Sequence, residues 1–541
     1  MTLDGFLTVL ALLAAIYAVL PPVQRLRLEL AWRMQGLLGT AAIAAILGIE
    51  LYDVRPPVCP AWLGSKACNW LILPDGDAGA SGKLAFLVAF AWLALSIVIH
   101  RRWRPSLGSV PAVTRLAVEL IDEEQFGDAL KLLEPRMALL AKASRRCCWQ
   151  QRVHDWLEEF GPTNPNSFAR FIRGPGERRF TGETWPGWAA RPVRWLARGM
   201  PDHRRAETAA SDMLQILFNS PKLLDYIAER RPYFGIALIG CQTYGSADFC
   251  ERYLSRLLAT PGSALYHEIE TNLVSEGLAF ALPERNRLLR FLFADAQRAE
   301  QLSAWNGVGR YVERVLDGEE RPGYWTWLNG DQGWFEQEQF RDPVYVALLF
   351  FDIMVRSAAE QAVLGHMWLY FLRHFARRLE AGYDSTGEGI DRDAEFPVRA
   401  ARLIYELTQI VTGWVELFRE LPKDSIHRKF PERRESPGSI PFAAALTLAD
   451  VLRTVATSDR IDRGVALTLN TVILRAVRSF HDDGADLSRM RAWLIDALLS
   501  RGDAAGRDDY HNRLADLIED TDDMLRYDVE DFVAALRARL T

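Results

Sequence analysis

The chain has 541 residues, and its net charge is −6 because 64 basic residues face 70 acidic ones. Apolar residues make up 49% and charged residues 25% of the composition, which excludes a largely disordered chain. The small net charge gives no sign of a protein that binds nucleic acid along its whole length. At roughly 150 residues per domain, we expect about three or four structural units.

Three uncharged apolar segments dominate the first hundred residues, at 5–20, 37–49 and 84–99. A helix of about 16 residues is ~24 Å long, and flanking residues can extend it toward the ~30 Å of a bilayer core. We therefore predict a membrane domain over residues 1–104 with three transmembrane helices. A cleaved signal peptide and a buried soluble hairpin are the alternatives for these segments.

Arginine clusters predict the orientation of these helices. Several arginines follow the first segment, at 25–33, and the sequence HRRWR follows the third segment at 100–104. The loop at 52–83 has its few basic residues balanced by acidic ones. Because dense arginine clusters stay in the cytoplasm, we predict a bacterial inner-membrane protein. We expect its N-terminus and the loop at 52–83 to lie outside, and everything after Arg101 to lie inside.

Two cysteines lie in the predicted outside loop. Cys59 and Cys68 are nine positions apart, and prolines flank the first of them. An oxidising compartment would allow them to form a disulfide bond. Two unpaired thiols are the alternative.

The second apolar segment carries small residues at helical spacing. Thr40, Ala44 and Gly48 follow one another at intervals of four residues. Such spacing lets two helix backbones approach closely, which predicts a helix-packing face. The face would serve a homo-oligomer, or it would pack against the other two helices of the same chain.

From residue 105 onward the sequence predicts an all-α structure. Its helices could be arranged as helical repeats. Apolar residues recur every three or four positions, and alternating patterns typical of strands are scarce. Clusters of Gly, Pro and Asn divide this cytoplasmic part. The predicted regions are a helical hairpin with a basic aromatic-rich segment (105–205), a central helical domain (206–420), a polar loop (421–441) and a C-terminal helical region (442–541).

Two local patterns refine this prediction. The segment 116–137, LAVELIDEEQFGDALKLLEPRM, resembles one tetratricopeptide-type helical hairpin, with its turn at Phe126-Gly127 and its end at Pro135. An ordinary hairpin is the alternative, since no second copy follows at a period of about 34 residues. Asp342-Pro343 resembles a helix start, and the apolar run at 344–351 predicts a buried core helix.

The segment 145–205 combines arginines with aromatic residues. It holds twelve arginines and six acidic residues, with Trp and Phe interleaved. Arginine and aromatic side chains together suit anionic lipid headgroups or single-stranded nucleic acid. The candidate contacts are Arg173, Arg178, Arg179, Arg191 and Arg194. The alternative is a connector whose arginines are simply solvated.

One motif resembles a catalytic family. The sequence AVRSFHDDG at 476–484 is similar to the His-Asp helix end of HD-type metal phosphohydrolases, which are all-α proteins. The resemblance implies that His481 and Asp482 ligate a metal ion, together with an earlier histidine and a later aspartate. The nearest earlier histidine is His427, in the polar loop. Chance occurrence is the alternative.

The sequence contains no phosphate-binding loop, dinucleotide motif, nucleophile elbow or HExxH zinc motif. We therefore expect no cofactor, no metal and no catalysis, and predict a membrane-anchored helical sensor or scaffold. It would bind a cytoplasmic protein partner or an anionic ligand. One alternative is a membrane effector, for example in phage defence, whose helices cluster and perturb the bilayer. The other alternative is the HD-type phosphohydrolase.

Overall fold

A computed structural model describes most of the chain. The described residues are 36–49, most of 86–98, 107–144, 204–241, 245–276, 282–331, 333, 338–364, 369–432, 438–481, 484–500 and 504–540. The chain divides into two compact units, Met1–Leu217 and Phe218–Thr541. Within the described residues, β-structure is limited to one isolated bridge between Asp331 and Val398, and helices account for most of the rest. The all-α prediction is confirmed.

Parts of the predicted membrane domain belong to the first unit. Residues 36–49 are helical, and so are most of residues 86–98. In the part of the chain that the structure describes, none of the helices combines the length and apolar character needed to span a bilayer. The first apolar segment and the loop at 52–83 lie outside the described residues, so the three transmembrane helices stay a prediction.

A helical hairpin follows at 110–133. Helix α1 (Val110–Asp122) packs against α2 (Phe126–Leu133), and α3 (Met137–Ser144) comes after a 3₁₀ turn at Glu134–Arg136. The turn occupies residues 123–125, with Glu124 in the left-handed conformation at φ 59°. The predicted turn at Phe126-Gly127 is therefore wrong by a few residues, because Glu124 reverses the chain and Phe126 already begins α2.

The first half of the second unit is built from short helices. They include α5, which begins with Pro221 after the Ser220 N-cap, and α10, which Asp295 caps in the same way. Helix α4 (Arg204–Asn219) belongs to the first unit up to Leu217. The bounds of the helices that follow are α5 (Pro221–Arg230), α6 (Pro232–Ile239), α7 (Ser246–Ala259), α8 (Ala264–Glu276), α9 (Arg287–Phe293), α10 (Ala296–Gln301), α11 (Ala304–Leu316) and α12 (Tyr324–Leu328).

The second half contains the longer helices. Their apolar faces turn inward at three- and four-residue spacing, as a packed helical body requires. The bounds are α13 (Pro343–Glu360), α14 (Leu369–Ala381), α15 (Arg399–Glu420), α16 (Ile440–Ala456), α17 (Arg463–Ser479), α18 (Ala485–Ser500), α19 (Ala504–Glu519), α20 (Asp523–Asp528) and α21 (Glu530–Leu540).

Helix α13 lies at the centre of the second unit. The Asp342 carboxylate accepts hydrogen bonds from the backbone N–H groups of Val344 and Tyr345, and Pro343 occupies the first turn. Every residue from Pro343 to Ala359 is buried except Arg356. Helices α7 to α11 and α15 pack around it. The predicted helix start and buried core helix are both confirmed.

Helix α16 forms a second centre, in contact with α14, α15, α17, α18 and α19. Aromatic rings fill the space at its N-terminal end, with ring centroids between 4.9 and 6.4 Å apart. We call this set the aromatic cluster: Phe418, Phe430, Phe442, Phe480 and Trp493. Rings at these distances and mixed angles bury large apolar areas, so the cluster is a major source of stability.

Candidate functional site

Two clefts open on either side of the segment that joins α15 to α16. Helix α15 ends at Glu420 and α16 begins at Ile440, with a 3₁₀ turn at Ile426–Arg428 between them. Glu420 lines both clefts, so they share one wall. We call them the apolar cleft and the charged cleft. The polar segment 421–441 of the sequence analysis corresponds to this connection.

The apolar cleft has a volume of about 460 Å³. Its walls come from the end of α13, the end of α15 and the connecting segment. Ala359, Leu417 and Ile426 line it, and charged residues such as Arg356 and Asp424 also contribute. A space of this size and lining accommodates one or two apolar side chains flanked by polar groups.

The charged cleft is larger, at about 710 Å³. Its lining combines three basic residues with three acidic ones, together with the first turn of α18. The charged residues are Glu416, Arg419, Glu420, Lys423, Arg428 and Asp486. Since neither sign dominates, the cleft suits a ligand that carries both charges rather than a simple anion.

The connecting segment is held firmly from within. The Ile440 N–H donates to Nδ1 of the buried His427 at 3.3 Å, and the His427 N–H donates to the Ser425 hydroxyl at 3.3 Å. The Arg428 guanidinium lies 4.7 Å from the Phe418 ring centroid and donates to the Leu421 carbonyl. These contacts fix the walls of both clefts before any ligand arrives.

The electrostatics of the site differ between its interior and its walls. Burial lowers the pKa of His427, although a hydrogen bond with the Ala358 backbone acts in the opposite direction. Burial raises the pKa of Glu416, with the Ser479 hydroxyl and Arg419 favouring its ionised form. His427 is therefore neutral at physiological pH and has a structural role. Glu416 is a cleft carboxyl group that takes up a proton more readily than usual.

The structure keeps His427 away from the role that the HD-type resemblance implies. Its Nδ1 accepts the Ile440 N–H, so the ring caps α16. His481 is exposed just after α17, and Asp482 lies outside the described residues. Among the residues that the structure describes, there is no group of three His, Cys, Asp or Glu side chains arranged to hold a metal ion.

The other predicted site residues are placed only in part. Thr40 and Ala44 are exposed on the helix at 36–49, and a Cβ added at Gly48 would meet nothing within 4 Å. A Cβ added at Gly39, on a different face, would lie 3.9 Å from the Trp92 indole. Outside the described residues lie Cys59 and Cys68 and the whole arginine set: Arg173, Arg178, Arg179, Arg191 and Arg194.

Sequence reasoning marked the segment 421–441 as a break between helices and did not recognise it as a site. The available signal was the charge alternation from Glu416 to Arg428, which resembles an ordinary solvated helix end. The clefts themselves depend on α13 and α18, which are distant in sequence.

No known protein family, curated protein or solved structure gives a significant match to this chain. Three features of its own residues bear on its function: the three apolar segments, the helical body and the pair of clefts beside the α15–α16 connection.

Proposed function

We propose that the protein is a membrane-tethered helical sensor or scaffold. Three transmembrane helices would hold it in a bacterial inner membrane, with the N-terminus outside and the helical body in the cytoplasm. The apolar segments at 5–20, 37–49 and 84–99 and the arginines that follow them support this arrangement. The basic segment 145–205 would contact anionic lipid headgroups or nucleic acid.

The pair of clefts supports a protein partner as the ligand of the body. An apolar pocket beside charged groups is the arrangement found where one protein anchors a side chain of another. The apolar cleft would take the anchor, and the charged cleft would pair with groups of both signs around it. The neutral His427 and the arginine–ring contacts keep both clefts open in the absence of a partner.

Site-specific crosslinking in bacterial membranes tests the partner site. A photoreactive amino acid at the exposed Lys423 of the full chain is expected to give one discrete crosslinked protein, and Ile426→Asp is expected to abolish it. The same amino acid at Met524, which is 71% exposed on α20, is the matched control. Equal products at both positions, or a product that survives Ile426→Asp, would contradict the proposal.

Reporter fusions test the tether independently. A reporter that works only in the periplasm should be active when fused after Ser65 and inactive when fused after Ser106. The opposite pattern would overturn the proposed orientation and the Cys59–Cys68 disulfide with it. A maleimide that cannot cross the membrane should label these two cysteines in spheroplasts only after reduction.

The exposed small residues on the helix at 36–49 favour a second candidate, the self-associating membrane effector. Thr40 and Ala44 present a face that another copy could approach closely. Under this alternative, overproduction arrests growth or leaks dye, deletion of residues 1–104 abolishes the effect, and Ala44→Leu weakens it by blocking close approach. Normal growth of the overproducing strain would leave the scaffold as the proposed function.

A further inference from the structure

Helices α7 and α11 cross with their backbones close together. A Cβ atom added at Gly307 would overlap the carbonyl group of Glu251. The Asn306 side-chain amide donates to the Glu251 carboxylate at 2.6 Å on the same side. Only glycine allows this approach, and it brings the outer faces of the two helices next to each other.

Each of these outer faces carries two arginines one turn apart. Arg252 and Arg256 lie on α7, and Arg310 and Arg314 lie on α11. A spacing of four residues places each pair on one helix face. All four line a single cleft of about 230 Å³, which we call the arginine cleft, and Ser255 and Tyr311 also line it.

Ion pairs hold these arginines in place. Three of the four have a carboxylate partner, and the Arg314 guanidinium also donates to the Ser255 hydroxyl at 3.0 Å. The pairs and their shortest N–O distances are Arg256–Asp225 at 2.6 Å, Arg310–Glu251 at 3.3 Å and Arg314–Glu320 at 2.6 Å. Arginines fixed in this way lose little further freedom when a ligand binds, so the cleft is organised in advance.

The arginine cleft keeps an excess of positive charge that solvent can reach. The four arginines are accompanied by three carboxylates, Asp225, Glu251 and Glu320, so this group of side chains keeps a net charge of +1. The Arg310 side chain is 59% exposed, and the Arg256 and Arg314 side chains are 42% and 38% exposed. An anion can therefore enter the cleft without displacing a buried group.

We propose that the arginine cleft binds the phosphoryl groups of a small phosphate-bearing molecule. Guanidinium groups match phosphate oxygens with two parallel hydrogen bonds, and the Ser255 hydroxyl supplies a further polar group. The cleft volume lies below the roughly 300–1,000 Å³ of sites that enclose a whole organic ligand. It suits a diphosphate group, with the remainder of the molecule outside.

This inference names the ligand that the sensor receives, and it rests on the proposed function only in assigning ligand binding to the helical body. The site lies on α7 and α11, whereas the proposed partner clefts lie beside α13, α15 and α18. Failure of the Lys423 crosslink would contradict the protein-partner site without affecting the proposed phosphate site. Absence of phosphate binding would contradict the phosphate site without affecting the partner site.

Calorimetric titration of the full chain with inorganic pyrophosphate tests the proposal. The protein is placed in nanodiscs of zwitterionic lipid at about 50 mM salt, where screening is weak. We expect saturable binding with one pyrophosphate per chain. The double variant Arg252→Gln/Arg310→Gln is expected to weaken binding at least about tenfold, because each lost charged hydrogen bond is worth roughly that factor.

Two further variants separate recognition from charge and from folding. Arg513→Gln is the matched control, because Arg513 is a surface arginine with its own partners, Asp459 at 2.7 Å and Asp509 at 3.2 Å. It should leave pyrophosphate affinity unchanged. Arg310→Lys keeps the charge and loses the planar fork, so affinity should fall severalfold while the helical circular dichroism stays the same.

Absence of pyrophosphate binding at millimolar concentration would overturn the proposal, and so would equal affinity in the double variant and Arg513→Gln. A repeat in nanodiscs with anionic lipid identifies the source of the phosphate. Competition by the lipid would assign the phosphoryl group to a headgroup. Unchanged pyrophosphate affinity would assign it to a soluble molecule.

Discussion

The crossings of α7 with α11 and of α15 with α16 bring helices together by opposite means. At the first, Gly307 removes a side chain and lets two backbones meet, which leaves arginines along an open cleft. At the second, the aromatic cluster fills the space with rings, and Phe442 and Phe418 have no exposed surface. Rings that fill a crossing stabilise the fold, whereas a missing side chain lets two helices meet and leaves an open cleft between their charged faces.

The largest loss of stability should come from removing a ring of the aromatic cluster at the α15–α16 crossing. Phe442→Ala removes a ring whose centroid lies 4.9 Å from that of Trp493 and 5.0 Å from that of Phe430. We expect the free energy of unfolding to fall by about 3–5 kcal/mol, as for other buried Phe-to-Ala changes. Denaturant titration followed by tryptophan fluorescence measures it. Tyr527→Ala, at a residue 77% exposed, should change stability by less than about 0.5 kcal/mol.

Adding a side chain at the α7–α11 crossing should lower the free energy of unfolding nearly as much. Gly307→Ala forces α7 and α11 apart, because its methyl group meets the Glu251 backbone and not a movable side chain. We expect a loss of about 3 kcal/mol in the free energy of unfolding. Gly464→Ala is the control, since its added Cβ meets nothing within 4 Å and alanine favours a helix. A Gly307→Ala protein as stable as Gly464→Ala would contradict the close crossing.

The buried carboxyl group of Asp342, at the start of α13, should make stability depend on pH. Burial raises the pKa of Asp342 to about 6, although the Tyr324 hydroxyl and the N–H groups of Tyr345 and Val344 favour its ionised form. The folded protein therefore binds this proton more tightly than the unfolded chain does. Stability from this group is present at low pH and is lost as the pH rises from about 4 to about 6.

Asp342→Asn isolates that contribution, because asparagine also caps a helix and does not titrate. Between about pH 4.5 and pH 7, the wild type should lose about 2 kcal/mol of unfolding free energy relative to the variant. Denaturant midpoints of both proteins across this range measure the difference. A constant difference would show that Asp342 keeps an ordinary pKa.

The smallest change in stability is expected for Arg310→Gln, which tests whether Arg310 serves binding or folding. Arg310→Gln removes an ion pair with Glu251 in which the arginine is 59% exposed. Solvent screens such a pair, so we expect the unfolding free energy to change by less than about 1 kcal/mol. Thermal unfolding is the measurement. A loss as large as that of Gly307→Ala would show that Arg310 holds the crossing together instead of facing a ligand.

Local sequence patterns predicted the helical class and the interior of the body. The spacing of apolar residues and the pair Asp342-Pro343 were sufficient, because a helix start and a buried face are encoded within a few residues. The predicted position of the hairpin turn was wrong by a few residues, because no side-chain pattern marks the left-handed conformation of Glu124. Local preferences of non-glycine residues for that conformation are weak.

The candidate sites were beyond the reach of the same patterns. Arg310 and Arg314 alone look like one solvated helix face, and so do Arg252 and Arg256. They become one cleft only because Gly307 meets Glu251, a contact between residues far apart in sequence. The paired clefts at Glu420 likewise need α13 and α18 beside a segment that sequence marked only as a break.

The contacts of Arg491 bear on how the last helices form during synthesis. Its guanidinium, 8% exposed, donates to both carboxylate oxygens of Asp531 and to the carbonyls of Val477 and Asp528. Asp531 follows it by 40 residues. At 5–20 residues per second, a ribosome needs about 2–8 s to deliver that carboxylate. Until Asp531 has been synthesised, the Arg491 guanidinium on α18 cannot be buried with its carboxylate partner. The packing of α18 in this region is therefore completed only after α21 has been made.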